Sequence, residues 1–243
     1  MANLYADSIK NSSTVKLQIH RGVLRGSDEV ILIEDVAQKK GLHERKNSFW
    51  KANGIEVMRC PLPVGDYIVV NGRVQDVLDR KAKRGIEVKK MDFIGTYDVC
   101  VDTKKDIEEL LGDIIGKQHA RFRDECIFAQ NNGIKLYILV ENAGCEIYHT
   151  GIYNKTITSL EELHSWKNPR LFIMENSSEI IGAYKNGRPM YRKIQKYPKA
   201  TRGEQLMKAC MTMEQKYGVK FLFCKPNEAG KKVLELLGVY VDG

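Results

Sequence analysis

The sequence lacks the paired cysteines that bind structural zinc. Its six cysteines are scattered over 243 residues, and no two form a C-x-x-C pair, so neither a zinc ribbon nor a zinc finger is expected. Several lie in apolar runs, as in residues 99–101 and 221–224, which is typical of buried free thiols. This usage indicates a reducing compartment and argues against a disulfide framework.

Long apolar runs are also missing. No stretch approaches the roughly 20 apolar residues that span a bilayer. The N-terminus, which begins Met1-Ala2-Asn3-Leu4, has no continuous apolar segment of the kind found in signal peptides. We therefore expect no membrane partner and a cytoplasmic location. The sequence also contains no internal repeat and no low-complexity tract.

Charge is plentiful and unbalanced. Lys and Arg number 39 against 31 Asp and Glu, which gives a formal net charge of +8. A basic balance favours polyanionic partners such as nucleic acid, although the same charge would also serve solubility alone. The length is sufficient for one large domain or two small ones with a real core.

Strand and helix patterns alternate along the chain, which indicates an α/β fold. Short apolar or alternating runs predict strands, and apolar residues at helical spacing predict helices. The predicted strands are residues 30–33, 55–60, 65–70, 97–104, 134–140 and 219–224. The predicted helices are residues 107–115, 118–130, 203–217 and 228–237. A turn is predicted at Asn71-Gly72, followed by a highly charged segment from residue 73 to residue 97.

Acidic residues stand at the ends of three predicted strands: Glu34-Asp35, Asp66 and Asp102. Lys104 follows two residues after Asp102, and residues two apart on a strand point to the same face. Carboxylates are hard oxygen ligands suited to Mg²⁺, and a nearby ammonium can stabilise charge on a phosphate. A D-x-K triplet by itself is common at solvated strand ends, where a surface salt bridge is the simpler interpretation.

Together with its surroundings, the triplet resembles the GD…ERK-x₃-D signature of the XPF-type nuclease domain, a branch of the PD-(D/E)xK superfamily. The matching positions are Gly65-Asp66, Asp102-Thr103-Lys104 and Glu108, and residues 32–38 resemble the first strand with its D-x-R-E ending. The resemblance covers roughly residues 28–142. Residues 199–203 and 228–230 resemble bacterial and phage proteins that carry this domain.

The resemblance implies a fold and a division of the chain. The fold would be a restriction-endonuclease-like α/β core, in which a central mixed sheet is flanked by helices, with a C-terminal α/β extension. The implied divisions are an N-terminal lead-in segment at residues 1–27, the nuclease domain at residues 28–142 and the extension at residues 143–243.

The resemblance also implies roles for individual residues. Asp66, Asp102 and the carbonyl of Thr103 would bind Mg²⁺, with Mn²⁺ as a substitute, and Lys104 would be the catalytic lysine. Asp35 would be the first acid, with Glu34 as the competing register. Two departures stand out, because Thr103 replaces the family's arginine and Gln38 replaces its last acid.

Three groups of residues are candidates for nucleic-acid binding. The first is Lys117 with Arg121 and Arg123, for which a surface pair between Arg121 and Glu125 is the alternative. The second is the basic segment that contains Lys81, Lys83 and Arg84, for which a solvated, flexible loop is the alternative. The third comprises three tyrosines among basic residues, which would either stack on bases or pack an irregular strand region. They are Tyr184, Tyr191 and Tyr197.

The resemblance finally implies an activity. The protein would be a Mg²⁺-dependent DNA endonuclease of recombination or repair, acting as a homodimer in a bacterial or phage-infected cell. No tandem helix-hairpin-helix pattern accompanies the motif, so a preference for branched DNA stays open. The alternatives are a non-catalytic nucleic-acid-binding module that retains the fold, and a scaffold protein whose charges serve solubility.

Overall fold

The computed structural model describes residues 18–19, 30–39, 41 and 43–241. Most of the predicted lead-in segment, residues 1–27, lies outside the described residues. The strands are β1 (Gln18–Ile19), β2 (Ile31–Asp35), β3 (Glu56–Cys60), β4 (Tyr67–Val69), β5 (Val99–Lys104), β6 (Lys135–Glu141), β7 (Cys145–Glu146), β8 (Tyr153–Asn154), β9 (Met174–Ala183), β10 (Pro189–Gln195), β11 (Lys220–Cys224) and β12 (Val239–Tyr240). The α-helices are α1 (Glu44–Ala52), α2 (Gly72–Arg84), α3 (Ile107–Ile114), α4 (His119–Asn131), α5 (Gly203–Tyr217) and α6 (Ala229–Leu236).

A mixed sheet of six strands has the order β11-β6-β5-β4-β2-β3. Strand β2 runs parallel to β3 and antiparallel to β4, which in turn is antiparallel to β5. Strands β11 and β6 pair in parallel. Helices flank this sheet, so the predicted α/β class and the mixed central sheet are confirmed.

The described chain forms two compact units. Unit 1 comprises the residues up to Val101 together with those from Asn227 onward, and unit 2 comprises Asp102–Pro226. The predicted divisions at residues 27 and 142 follow the sequence motif and stay a prediction.

Trp50 anchors the core of unit 1. Its ring is fully buried and meets the Tyr67 ring edge-on, with the ring centres 5.1 Å apart, and its Nε1–H donates to the Gly230 carbonyl at 2.9 Å. This bond joins α1 to α6, which are 180 residues apart in sequence. Burial of a large aromatic with its polar atom satisfied is a strong source of stability.

Gly65 has a conformation that only glycine adopts easily at this place. Its φ is +74°, and a Cβ there would lie 2.9 Å from the Cys100 side chain. The close approach of two backbones leaves no room for a side chain. Gly65 therefore lets the chain turn tightly into β4, immediately before Asp66.

The core of unit 2 is formed by β6, β11 and the buried face of α5. Leu206, Cys210 and Met213 of α5 are buried at helical spacing, within the helix that the sequence predicted at residues 203–217. A Cβ on Gly203 would collide with the carbonyl oxygens of Leu163 and Trp166. Helix α5 therefore begins against the 3-10 helix Glu161–Ser165.

The charged segment after residue 71 is a helix. The Asn71 side chain accepts the Val74 N–H at 3.0 Å and caps α2, which ends at Gly85 with a φ of +62°. The flexible-loop alternative is therefore wrong for Lys81, Lys83 and Arg84, which form its last turn. Because Asn is both a turn residue and a preferred N-cap, the predicted turn at Asn71-Gly72 is instead the start of this helix.

The described helices offer no candidate for a membrane span, since none combines sufficient length with sufficient apolar character.

His43, at the start of α1, makes the stability of the protein depend on pH. Burial, with Lys46 and Arg59 nearby, lowers the pKa of His43 to about 4. Between the ordinary pKa of 6.5 and 4, the unfolded chain binds a proton at His43 that the folded chain does not. Stability is therefore expected to fall as the pH drops through this range. His43→Gln should flatten the decline, as measured by urea unfolding at pH 7 and pH 5, and an equally steep decline in the variant would contradict the prediction.

Candidate functional site

Lys104 lies in unit 2 between two buried carboxylates. Its Nζ is 2.8 Å from Asp102 Oδ2 and 2.8 Å from Asp113 Oδ2, and all three residues are buried. The contact with Asp102 confirms that residues 102 and 104 of β5 point to the same face. We call Asp102, Lys104 and Asp113 the lysine triad.

The triad keeps Lys104 charged. Burial by itself lowers the pKa of Lys104, but the carboxylates of Asp102 and Asp113 outweigh burial and hold the pKa above its ordinary value. The Nζ also lies 5.3 Å from the centre of the buried Phe122 ring of α4, a distance at which an aromatic face attracts a cation. Lys104 is therefore a fixed positive charge and a hydrogen-bond donor, and it is not suited to act as a base.

Asp113 is the member of the triad that the sequence analysis missed. The motif matches the acid after the lysine to Glu108, which is exposed on α3, whereas Asp113 is only 4% exposed. A signal was present, since Asp113 shares the inward face of α3 with Ile107 and Leu110 at helical spacing. An acid within an apolar stripe requires a buried partner.

Two further predicted acids meet in unit 1. Asp35, the last residue of β2, donates its N–H to the Asp66 carbonyl at 2.8 Å. The preceding pair in this antiparallel register is Glu34 with Tyr67. Asp35 and Asp66 are therefore cross-strand neighbours, and such neighbours have their side chains on the same face. Both carboxylates are largely buried, with exposed fractions of 7% and 9%.

Contacts of the two neighbouring acids favour Asp35 over Glu34 as the first acid. The Tyr67 hydroxyl donates a hydrogen bond to Glu34 Oε1 at 3.3 Å. Glu34 Oε2 also forms an ion pair with Arg59 Nε at 3.2 Å, although the two atoms are not aligned for a hydrogen bond. Glu34 thus already serves a structural role. Asp35 Oδ1 accepts the Leu62 N–H at 3.1 Å, which orients the carboxylate at the strand end.

Arg59 also holds the chain beyond β2. Its Nη2 donates to the carbonyls of Val36, at 3.1 Å, and of Gln38. The Gln38 side chain in turn accepts a hydrogen bond from His43 Nε2 at 2.6 Å. Gln38, which stands in place of the family's last acid, is therefore part of the scaffold.

The remaining predicted site residues have different surroundings. Thr103 is buried between its neighbours on β5. On α2, Lys81 pairs with Asp92 at 2.7 Å, and the hydrogen bond from Lys81 lowers the pKa of Asp92. The described residues contain no group of three or more His, Cys, Asp or Glu side chains arranged to hold a metal ion.

A basic cavity of about 560 Å³ lies beside α3 in unit 2. Lys117, Arg170 and Lys199 line it, with Glu108 as the single acid. The buried Asn168 braces the wall, because its amide donates to the Thr201 carbonyl at 2.9 Å and its Oδ1 accepts the Arg170 N–H at 3.1 Å. Lys117, predicted to bind nucleic acid, is thus part of a preformed cationic surface.

Arg121 and Arg123, also predicted to bind nucleic acid, are exposed on α4. Arg123 pairs with Asp124 at 2.9 Å. The exposure of both side chains leaves them accessible to a ligand, and their role in binding stays a prediction.

Comparisons with known proteins agree with the motif. The family model described as the ERCC4 domain matches residues 35–236, while no curated protein matches the sequence. Two solved structures of XPF from Aeropyrum pernix, one of them in complex with DNA, match with 12% and 13% identity and a TM-score of 0.42 each. Each match covers 85% of this chain, which spans only 63% and 62% of those chains.

Proposed function

Because the chain belongs to the ERCC4 domain family, we propose that it is a metal-dependent nuclease that hydrolyses phosphodiester bonds in DNA. The observation that carries the proposal is the lysine triad. A charged ammonium that is fixed beside a strand-end carboxylate can stabilise charge that develops on a phosphate. The family match and the basic net charge of +8 support DNA as the substrate.

Asp66, Asp102 and the Thr103 carbonyl would hold the metal ion, and Asp35 would be the first acid of the motif. The donor chemistry fits, since Mg²⁺ is usually bound by one or two carboxylates and keeps several waters. The match of Asp66 and Asp102 to the two acids of the family motif supports the assignment. When bound, the ion would polarise a phosphoryl oxygen and lower the pKa of a water molecule.

Lys104 would donate a hydrogen bond to the phosphate or to the attacking water. Its charge persists because Asp102 and Asp113 raise its pKa, and the two carboxylates restrict its position. Asp113 is thus a positioning residue, which holds the lysine without touching the substrate. Positioning a donor before the reaction is a large part of electrostatic catalysis.

We expect cleavage to require Mg²⁺ or Mn²⁺ and to stop when EDTA is added, because oxygen donors favour these ions over Zn²⁺. Cleavage of single-stranded, duplex, flap and four-way DNA should be measured with each ion and with none. Asp66→Asn and Asp102→Asn should each raise the Mg²⁺ concentration needed for half-maximal rate. Activity that survives exhaustive EDTA treatment would contradict the metal-dependent mechanism.

A non-catalytic nucleic-acid-binding module is the second candidate. It is favoured by Thr103 and Gln38, which replace a cation and an acid of the family pattern. Duplex binding without any Mg²⁺-dependent product would decide for this alternative. Four further expectations rest on the sequence alone and stay predictions. They are action on branched DNA in recombination or repair, assembly into a homodimer, a bacterial or phage origin, and a cytoplasmic location.

A further inference from the structure

Strands β9 and β10 form a two-stranded antiparallel ribbon outside the central sheet. We call residues 174–195 the ribbon arm. Ile180 and Ile181 are 61% and 53% exposed, and successive residues of a strand point to opposite faces. Both faces are thus open to solvent at this point. A two-stranded ribbon with both faces exposed leaves apolar and polar side chains available to a partner.

The charge of the ribbon arm indicates a polyanion. Its cations outnumber its acids by four to two, and Arg192 pairs with Glu179 at 3.0 Å. Lys185, Arg188 and Lys193 are exposed and form no ion pair with any residue that the structure describes. These three cations are available to phosphates.

The shape of the ribbon arm fits a groove of duplex DNA. The major groove of B-DNA is about 12 Å wide and admits a two-stranded ribbon. The pairing shifts register on both sides of Tyr191, and such irregularities strengthen the twist of a ribbon. At the tip, a turn presents Tyr184, which is 55% exposed, between the strands, with its N–H bonded to the Arg188 carbonyl at 2.8 Å.

The base of the ribbon arm is joined to the basic cavity of unit 2. The Lys196 N–H donates to the Ile173 carbonyl at 2.8 Å, next to the 3-10 helix Pro169–Phe172. Arg170 and Lys196 both lie over the Tyr197 ring, 6.0 and 5.6 Å from its centre. Arg170 also lines the basic cavity, so the base of the ribbon arm lies next to that cavity.

We propose that the ribbon arm binds duplex DNA by entering the major groove, with Lys185, Arg188 and Lys193 contacting the phosphates. The inference rests on the proposed function in taking DNA as the substrate. It goes further in assigning a duplex-binding element to a part of the chain that carries none of the predicted metal-binding or catalytic residues.

The test replaces Lys185, Arg188 and Lys193 together with Gln and measures affinity for a duplex in EDTA at several salt concentrations. We expect at least a tenfold loss, and a plot of log affinity against log salt that is less steep by about 1 per lost phosphate contact. A matched control replaces three exposed cations outside the arm, Lys155, Lys216 and Lys231, with Gln and should change affinity less than twofold. All six positions are exposed, so both variants should melt like the wild type.

Three outcomes would overturn the proposal. Unchanged duplex affinity in the arm variant would show that the ribbon arm does not bind duplex DNA through these cations. An equal loss in both variants would show only a general effect of charge, and an equal loss on single-stranded DNA would exclude groove binding. Because binding is measured without metal, a wild-type protein that binds through the arm yet never cleaves would reject the proposed nuclease function alone.

Discussion

Lys104→Ala is expected to slow single-turnover DNA cleavage by about 100-fold to 1000-fold, the usual effect of removing one electrostatic group from a transition state. DNA affinity should stay nearly unchanged, because Lys104 is one of 39 basic residues and affinity arises from many phosphate contacts. Lys104 is also buried between Asp102 and Asp113, and in the proposed mechanism it acts on charge that develops only during the reaction.

Folding must be controlled in this experiment. Loss of Lys104 leaves two buried carboxylates without their counter-charge, and breaking a buried pair costs about 3–5 kcal/mol. Cleavage and binding should therefore be compared below the melting temperature of the variant. Lys105→Ala is the matched control, since the Lys105 side chain is 77% exposed, and it should cut normally. A Lys104→Ala protein that cuts at the wild-type rate would refute the catalytic assignment.

Asp113→Ala should destabilise the protein by about 3 kcal/mol, the lower end of the range for a broken buried pair, because Asp102 still neutralises Lys104. Glu108→Ala, on the same helix but exposed, should change stability by less than about 0.5 kcal/mol. Urea unfolding of both variants measures the difference. Equal effects would show that the ion pair of Asp113 contributes no more to folding than an exposed acid.

Adding Asp113→Asn to these two variants separates the positioning role of Asp113 from its effect on stability. In Asp113→Asn an oxygen that can accept a hydrogen bond from Lys104 remains, so this variant should recover part of the cleavage rate lost in Asp113→Ala. Glu108→Ala should cut at close to the wild-type rate if Asp113 is the acid that positions Lys104. A large loss in Glu108→Ala alone would return the role to the residue that the motif predicted.

Helix α2 shows a limit of reading local patterns. Only Val74 and Val77 of its 13 residues are buried, so its apolar signal is too sparse to stand out against the charges. The Asn71 cap and the left-handed Gly85 define its ends, but each of these residues is equally typical of a turn. Val74 and Val77 pack into the core, and this burial favours a helix over a turn followed by a loop.

The sequence alone determined the chain order of the six central strands and of helices α3 to α6, and the shared face of Asp102 and Lys104. These features depend on periodicity along a few neighbouring residues, which is a local property. Only the tertiary structure shows the partnership of Lys104 with Asp113, the different contacts of Asp35 and Glu34, and the exposure of both faces of the ribbon arm. Each depends on which distant segments pack together, because burial and pairing are properties of the folded chain and of no single segment.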